Sequence, residues 1–315
     1  MSDSGSDYDI LSGHPGHLTS DQEQALNTFK QNLGSAGVFK PGSDSTPASH
    51  DDALLLRFLR ARKFDVQKAQ KQFLDSEAWR KENDIENLYA NFDPEEFEAA
   101  KHFYPRWTGR RDKHGVPVYV YRLAALSGPV LKELQAVPQE RRRQRITALW
   151  EFMTRFTTPV CTALPHAGDP PAPIVAVTSI IDFADCSIGT LWSLRAHLQQ
   201  ASTMATANYP ETLHAVAVVN APGYFSTVWG WIKEQNWFDE GTRNKIHVLG
   251  TDHKPMMLKL IDAENLPKIY GGQLDFQFED EPNLDEDAKK VIDSVPKGPC
   301  LFLDGKVVIP ERTTQ

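Results

Sequence analysis

Two short segments on either side of one apolar run carry side chains that could bind a ligand with a polar end and an apolar body. Residues 208–211 (NYPE) supply a carboxylate, and residues 220–246 supply a lysine and a high density of aromatic residues. A carboxylate accepts hydrogen bonds from ligand hydroxyl groups, and a lysine donates to anionic oxygens. The run AVAVV between the two segments predicts a short buried strand that brings them together.

The aromatic segment that follows this strand has two interpretations. Its apolar residues recur at a spacing that is typical of an amphipathic helix packed on a core. The same spacing would suit a gate helix that covers a cavity and enters the membrane interface, where tryptophan is favoured. The residues concerned are Phe225, Val228, Trp229, Trp231, Ile232, Trp237 and Phe238. The spacing alone leaves both interpretations open.

The sequence lacks the common motifs of catalytic sites. It contains no GxGxxG, GxxxxGK(S/T), GxSxG or HExxH pattern, its ten histidines are scattered, and its three cysteines form no CxxC pair. We therefore expect no metal site, no cofactor and no enzymatic activity. Asp182 ends a predicted buried strand, where it could be a catalytic acid or a carboxylate that accepts hydrogen bonds from backbone amides.

Charge and hydropathy restrict the class of protein. The net charge of −8 and the pI near 5.7 argue against a nucleic-acid partner, since general nucleic-acid binders are usually basic. The longest apolar runs, such as residues 174–181, have the length of a strand, whereas a transmembrane helix needs about 20 residues. The polar, acidic start does not resemble a secretory signal. We expect a cytoplasmic monomer whose contact with membranes is peripheral.

The pattern along the chain predicts two folded lobes with an extension at each end. The predicted segments are a flexible arm (1–18), a helical N-terminal lobe (19–91), a second lobe (92–276) and a C-terminal extension (277–315). Thr19 and Asp65 are expected to cap helices. In the second lobe strands alternate with helices, which predicts an α/β fold with a largely parallel sheet. The predicted strands are residues 115–123, 172–183, 213–221 and 245–250, and the predicted helices are residues 139–161, 189–207 and a segment from about residue 223.

Seven short motifs spread over residues 51–272 resemble those of a known family. They are LLRFLRARKF, FYPRW, DKHGVPVY, IIDF, NYPE, NAPGYFST and AENLPKIYGG. The chain resembles the CRAL-TRIO lipid-binding family, specifically the fungal sec-fourteen-like phosphatidylinositol-transfer proteins. The resemblance implies a helical N-terminal lobe followed by a mixed, largely parallel β-sheet that floors a lipid pocket closed by a gate helix. The gate would comprise Phe225, Val228, Trp229, Trp231 and Ile232.

The resemblance also implies which residues bind the inositol phosphate head group. In the family an acid accepts hydrogen bonds from the inositol hydroxyls, while Thr, Lys and Arg side chains donate to the phosphate. The matching residues of this chain are Arg62, Lys63, Asp112, Glu211, Thr242 and Lys245. Each of them alone would also fit an ordinary surface or helix-end position. The match to the whole pattern favours a role in binding.

The sequence departs from the family pattern at the pocket for a second ligand. Family members that carry phosphatidylcholine bind its head group with Ser and Thr hydroxyls and several tyrosines, and the matching residues here are Thr108, Tyr119, Phe152, Val177 and Ser179. A quaternary ammonium favours an aromatic cage. The loss of two tyrosines and one serine therefore predicts that phosphatidylcholine binding is weakened or replaced by another hydrophobic ligand. Haem is disfavoured because the strand residues Val177 and Ser179 cannot ligate iron.

The resemblance implies that the protein binds phosphatidylinositol and transfers it between membranes. As a transfer protein it is expected to contact Golgi or endosomal membranes transiently. One alternative is a lipid- or sterol-sensing regulatory module that acts on a lipid kinase or another partner. A lipid hydrolase is the enzymatic alternative, although it would lack a recognisable nucleophile.

Overall fold

The computed structural model describes residues 11–225, 227, 229–230 and 243–312 of the 315-residue chain. Most of the predicted functional residues fall within these ranges. Those that lie outside the described residues are Val228, Trp231, Ile232, Trp237, Phe238 and Thr242.

The first helices pack together because apolar residues recur on one face of each. They are α1 (Ser20–Ser35), α2 (Asp52–Ala61), α3 (Val66–Glu82) and α4 (Ile85–Ala90). Phe73 of α3 packs edge-on against Phe29 and Phe58, with ring centroids 5.8 and 5.0 Å away. The predicted caps are confirmed, since Thr19 forms a capping box and Asp65 accepts a hydrogen bond from the first turn of α3.

A five-stranded sheet follows, in which the strands lie in chain order. They are β1 (Arg106–Arg111), β2 (Pro117–Arg122), β3 (Val177–Asp182), β4 (Leu213–Val219) and β5 (Ile246–Val248). β1 runs antiparallel to β2, and β2 to β5 are parallel to one another. The predicted α/β fold with a mixed, largely parallel sheet is confirmed. Residues 172–176 lie outside β3, because Ile174 donates its backbone N–H to the Thr162 hydroxyl instead of entering a strand ladder.

Helices connect and cover the strands. They are α5 (Pro94–Ala100), α6 (Gly128–Ala136), α7 (Gln139–Phe152), α8 (Thr158–Thr162), α9 (Ile188–Asn208) and α10 (Lys254–Leu260). The long helix predicted over residues 139–161 is interrupted between α7 and α8 by a π-helical turn, Met153–Thr157. Pro159 follows this turn and has no backbone N–H to continue the regular ladder, which explains the interruption.

Both ends of the described chain pack on this core. Residues 11–18, predicted as part of a flexible arm, form turns in which His17 Nε2 lies 2.7 Å from the carbonyl oxygen of Pro170. The C-terminal extension covers β1, where the Asn283 N–H donates to the Thr108 carbonyl at 2.8 Å. It contains α11 (Glu286–Val291) and a hairpin of β6 (Leu301–Leu303) and β7 (Lys306–Val308). The boundaries proposed for the lobes stay predictions.

No helix within the described ranges is long and apolar enough to cross a membrane. The same ranges contain no group of three or more His, Cys, Asp and Glu side chains that could hold a metal ion. Cys161, Cys186 and Cys300 are buried free thiols.

Candidate lipid-binding site

One face of the sheet borders a cavity of about 540 Å³ whose walls are mainly apolar. Because side chains alternate between the two faces of a strand, every second residue of a strand reaches the cavity. The sheet residues that line it are Tyr119, Tyr121, Val177, Ser179, Ile181, Leu213, Val216, Val218 and Ile246. Residues of α7 and α9 form its sides. A cavity of this size can enclose a small apolar ligand or part of a larger one.

Glu211 lies at one end of the cavity and is bound by two cations. Arg60 Nη2 and Lys245 Nζ each donate to its Oε2 atom at 3.0 Å, and Glu211 and Lys245 both line the cavity. Each of the three side chains is less than one-fifth exposed, so solvent screens their charges only in part. Two positive charges on one carboxylate leave a net positive charge, which favours an anionic group of a ligand.

The backbone turn that carries Glu211 is anchored by Arg57 of α2 and Glu151 of α7. Glu211 has a φ angle of 57°, in the left-handed region that non-glycine residues rarely adopt. Immediately before it, the carbonyl oxygen of Pro210 accepts a hydrogen bond from Arg57 Nε at 2.9 Å. The Tyr209 hydroxyl donates to Glu151 at 2.5 Å. These buried contacts stabilise the turn and so hold Glu211 in its unfavourable backbone conformation.

The two basic residues predicted to bind the head group at the end of α2, Arg62 and Lys63, have different surroundings. Arg62 follows the helix and lines the cavity, whereas Lys63 is exposed, has a φ angle of 51° and does not line it. The cation from α2 that contacts Glu211 is Arg60, which the motif comparison did not select. Arg57 and Arg60 are three residues apart and therefore share one face of α2. That spacing is the sequence signal that could have identified Arg60.

Asp112 organises the hairpin between β1 and β2 and does not line the cavity. Its Oδ1 atom accepts hydrogen bonds from the backbone N–H groups of His114 and Val116 at 2.9 and 3.0 Å. Its Oδ2 atom accepts one from the Thr178 hydroxyl at 2.7 Å. The hairpin amides are its nearest neighbours along the chain and occupy its acceptors. The contact of Asp112 with a head group stays a prediction that this geometry does not favour.

Three of the five residues predicted for the second ligand, Tyr119, Val177 and Ser179, line the cavity. The Tyr119 hydroxyl donates to Thr157 Oγ1 at 3.1 Å, and burial raises the pKa of Tyr119, so this group is neutral. Ser179 adds a hydroxyl to the wall, and Val177 adds only methyl groups.

The structure does not bring Thr108 and Phe152 to the cavity. Thr108 follows the β1 residue that pairs with Tyr119 and therefore points to the opposite face of the sheet. Phe152 packs between Phe97 and Phe156, with ring centroids 5.6 and 5.0 Å away. The structure thus brings to the cavity the three predicted residues on β2 and β3, and a role of the five residues in binding a second ligand stays a prediction.

Phe225 and Trp229, predicted as gate residues, line the cavity on another side. The Phe225 ring contacts the Phe183 ring edge-on at 4.7 Å and stacks on Trp229 at 6.2 Å. The other three predicted gate residues lie outside the described ranges. A gating movement stays a prediction.

Asp182, a candidate catalytic acid from its place at the end of a strand, is fully buried and accepts hydrogen bonds. Its donors are the backbone N–H of Ala184, the Asn220 amide at 2.8 Å and the Tyr270 hydroxyl at 3.1 Å. The interpretation as a hydrogen-bonded structural carboxylate fits this arrangement, because its acceptors are already used.

Comparison with known proteins identifies the family of the chain. A family model described as "CRAL/TRIO domain" matches residues 102–272, more than half of the chain, and one described as "CRAL/TRIO, N-terminal domain" matches residues 21–75. The chain belongs to the CRAL/TRIO family. The N-terminal match contains Arg57 and Arg60, and the CRAL/TRIO domain match contains Glu211 and Lys245. The polar end of the cavity is therefore assembled from both matched regions.

Several CRAL/TRIO relatives are similar over most of this chain. The "Sec14 cytosolic factor" of Schizosaccharomyces pombe is 36% identical over 261 residues, which cover 82% of this chain and 85% of the relative. The "SEC14 cytosolic factor" of Eremothecium gossypii is 36% identical over 268 residues, 84% of this chain and 80% of that protein. The "Phosphatidylinositol/phosphatidylcholine transfer protein SFH7" of Arabidopsis thaliana is 35% identical over 231 residues, 73% of this chain and 41% of that protein.

A solved structure shares the fold of this CRAL/TRIO protein. The crystal structure of Sfh5 superimposes with a TM-score of 0.61 and 18% sequence identity, covering 87% of this chain and 96% of that one. At this identity the similarity concerns the fold alone.

Proposed function

We propose that this CRAL/TRIO protein binds phosphatidylinositol and exchanges it between membranes without making or breaking covalent bonds. The observation that carries the proposal is a mainly apolar cavity that ends at Glu211, whose carboxylate is shared by Arg60 and Lys245. Acyl chains fit the apolar walls. A carboxylate can accept hydrogen bonds from vicinal hydroxyls, and the two cations can donate to a phosphate diester.

The need for such a cavity follows from the cost of exposing a phospholipid to water. A free phospholipid would expose roughly 30 methylenes, at a cost on the order of 25 kcal/mol. A protein that covers the chains removes most of this cost during transfer. The printed name of the Arabidopsis relative, a phosphatidylinositol and phosphatidylcholine transfer protein, supports the same class of function.

Binding would rearrange the charged end of the cavity. In the described structure Arg60 and Lys245 donate to Glu211. With an inositol phosphate present, the phosphate would take hydrogen bonds from the cations and the hydroxyls would donate to Glu211. Arg62, which also lines the cavity, would add a further donor.

The variants Glu211→Ala and Lys245→Ala test this proposal in a vesicle-to-vesicle transfer assay. Each should lower phosphatidylinositol transfer by at least about tenfold, because a hydrogen bond to a charged group contributes about 1.5–3 kcal/mol. The matched control is Lys289→Ala, which removes a surface lysine paired with Glu286. Unchanged transfer in both site variants would reject the proposal and favour a sensor of a non-phospholipid ligand. Release of lyso-lipid from labelled phospholipid would favour a hydrolase instead.

We also propose that phosphatidylcholine binding is weakened or replaced by another hydrophobic ligand. Val177 lines the cavity without a hydroxyl, and the Tyr119 hydroxyl already donates to Thr157. Mass spectrometry of lipids extracted from the purified protein should therefore find phosphatidylinositol in excess of phosphatidylcholine. A predominance of phosphatidylcholine would contradict this part of the proposal.

Exchange requires contact with a donor and an acceptor membrane, and we propose that these are Golgi or endosomal membranes reached from the cytoplasm. Two relatives are named cytosolic factors, which supports the compartment. Fluorescence microscopy of the tagged protein beside Golgi and endosomal markers tests the location.

A further inference from the structure

The first two turns of α9 form an exposed part of the cavity wall. Ile188 is 60% exposed and Trp192 is 61% exposed, although both also line the cavity. The two residues are four positions apart and so lie on one face of the helix. Leu191 and Leu194 are buried and attach the helix to the core. A residue that both lines a cavity and faces solvent marks the cavity's mouth.

A positive charge accompanies these apolar side chains. The Arg195 guanidinium lies over the Trp192 ring, 4.1 Å from its centroid, and Arg195 also lines the cavity. Asp185, three residues before Ile188 in the chain, is an exposed acid whose charge is offset by Arg122 at 3.8 Å. The charge of Arg195 suits a surface of lipid phosphates.

The position at the mouth indicates what covers this surface. A lipid that leaves the cavity directly into water would expose its chains, so the mouth must meet a bilayer for exchange to occur. Tryptophan is favoured at the membrane interface, and Ile188 would extend further into the apolar region. Ile309, next to the C-terminal hairpin, is 59% exposed but does not line the cavity.

We propose that Ile188, Trp192 and Arg195 form a membrane-docking surface that seats the mouth of the cavity on a phospholipid bilayer. The inference rests on the proposed function, because it assigns the surface through which the bound lipid is exchanged. It assigns the membrane contact to α9, which is a different helix from the predicted gate. The bilayer supplies an interface for Trp192 and phosphates for Arg195.

The full-length variants Ile188→Glu and Trp192→Glu test the surface. Sedimentation with phosphatidylcholine vesicles that contain phosphatidylserine should show binding weakened by about tenfold or more in each variant. The matched control Ile309→Glu changes an equally exposed isoleucine and should bind as the wild type does. Trp192→Phe should retain most of the binding. Arg195→Gln should lose about fivefold with phosphatidylserine present and little without it.

Further measurements separate docking from folding and from lipid recognition. The urea midpoint and the lipid content by mass spectrometry should be unchanged in Ile188→Glu and Trp192→Glu, because exposed substitutions cost little stability. Their transfer rates should fall in parallel with vesicle binding. If phosphatidylinositol is missing from the wild type, the proposed function fails, while the vesicle-binding comparison still decides the docking surface.

Two results would overturn the inference. One is vesicle binding and transfer by Ile188→Glu and Trp192→Glu equal to that of the Ile309→Glu control. The other is a wild-type dimer in light scattering that Ile188→Glu converts to a monomer without weakening vesicle binding. The second result would assign the surface to another copy of this chain.

Discussion

Arg57 and Pro210 lie 153 residues apart in the chain and are joined by a buried hydrogen bond of 2.9 Å from Nε to the carbonyl oxygen. Burial lowers the pKa of Arg57 to about 10, so the guanidinium is still charged at neutral pH. The bond ties α2 to the turn that presents Glu211. A helix of the N-terminal part therefore positions the carboxylate of the proposed head-group site.

Replacing Arg57 with Met should disturb that turn. The substitution removes the donor and leaves the Pro210 carbonyl buried, so we expect the free energy of unfolding to fall by about 1–3 kcal/mol. Phosphatidylinositol transfer should fall as well, because Glu211 loses its support. Urea denaturation and the vesicle transfer assay measure the two effects. Lys68→Ala, at a 73% exposed side chain on α3, is the control. Full transfer by Arg57→Met would show that the turn does not depend on Arg57.

Glu151 should contribute more to stability than an exposed carboxylate. It is 1% exposed and is held by Arg80 at 2.8 Å, by Arg155 at 2.6 Å and by the Tyr209 hydroxyl. Burial alone would raise the pKa of Glu151, but the two arginines hold it below its ordinary value. We expect Glu151→Gln to lower the free energy of unfolding by about 3–5 kcal/mol, because it leaves partly buried arginines without their counter-charge.

Urea denaturation of three variants checks this expectation. Tyr209→Phe removes one hydrogen bond and should cost about 1–2 kcal/mol. Glu86→Gln changes a 69% exposed acid that also contacts Arg80 and should cost less than about 1 kcal/mol. If Glu151→Gln and Glu86→Gln lowered the free energy of unfolding by similar amounts, burial would not explain the larger contribution expected of Glu151.

Gly115 is required by the hairpin that Asp112 organises. Its φ angle is +84°, and a Cβ atom would lie 2.3 Å from His166 Cβ. Gly37 has a similar φ angle of +75° but nothing within 4 Å of such an atom. Gly37→Ala should therefore cost only the backbone strain, about 1 kcal/mol. Gly115→Ala should cost about 2–4 kcal/mol, because overpacking is added to the strain. Equal unfolding free energies for the two variants would refute the steric contribution.

His197 should make the fold less stable in mild acid. It is buried against Tyr104, and burial together with the charge of Arg142 lowers the pKa of His197 to about 4. Because the folded-state pKa is below the unfolded value near 6.5, stability is highest above pH 6.5 and falls as the pH drops towards 4. From pH 7.5 to pH 5 this group should remove about 2 kcal/mol of unfolding free energy.

Chemical denaturation of His197→Phe at both pH values checks the assignment. The variant retains an aromatic ring beside Tyr104 but cannot be protonated, so its stability should depend less steeply on pH. Some dependence should persist, because the pKa of His14 is also lowered, to about 3, by burial and by nearby cations that include Arg60. An unchanged pH slope would exclude His197 as its source.

The regular elements could be predicted closely because their signals are local. Thr19 and Asp65 cap helices as expected, since a cap needs only a side chain and the amides three residues ahead. The buried strands β3 and β4 were predicted from runs of β-branched residues. The predicted start of β3 at residue 172 was wrong. Thr162, twelve residues before Ile174, accepts a hydrogen bond from the Ile174 backbone N–H and so keeps it out of the strand.

The site was predicted less completely. Glu211 and Lys245, both predicted to bind the head group, lie in contact, and their role in lipid binding stays a proposal. Thr108 is a predicted pocket residue that does not line the cavity, because the motif comparison carries no information about which face of β1 turns to the cavity. A shift of one residue along a strand moves a side chain to the other face, so a small uncertainty in alignment suffices for the error.

Composition, periodicity and motifs were enough to establish the fold class, the main elements and the family of this chain. Only the folded arrangement shows that Arg60, and not Lys63, is the residue of α2 and its C-terminal end that joins Lys245 beside Glu211. It alone also shows that the hairpin amides donate to Asp112 and that Trp192 is exposed at the cavity mouth. The physical reason is distance along the chain. Caps and apolar faces depend on neighbours within one or two turns, whereas an ion pair between residues 60 and 211 forms only when separate elements pack together.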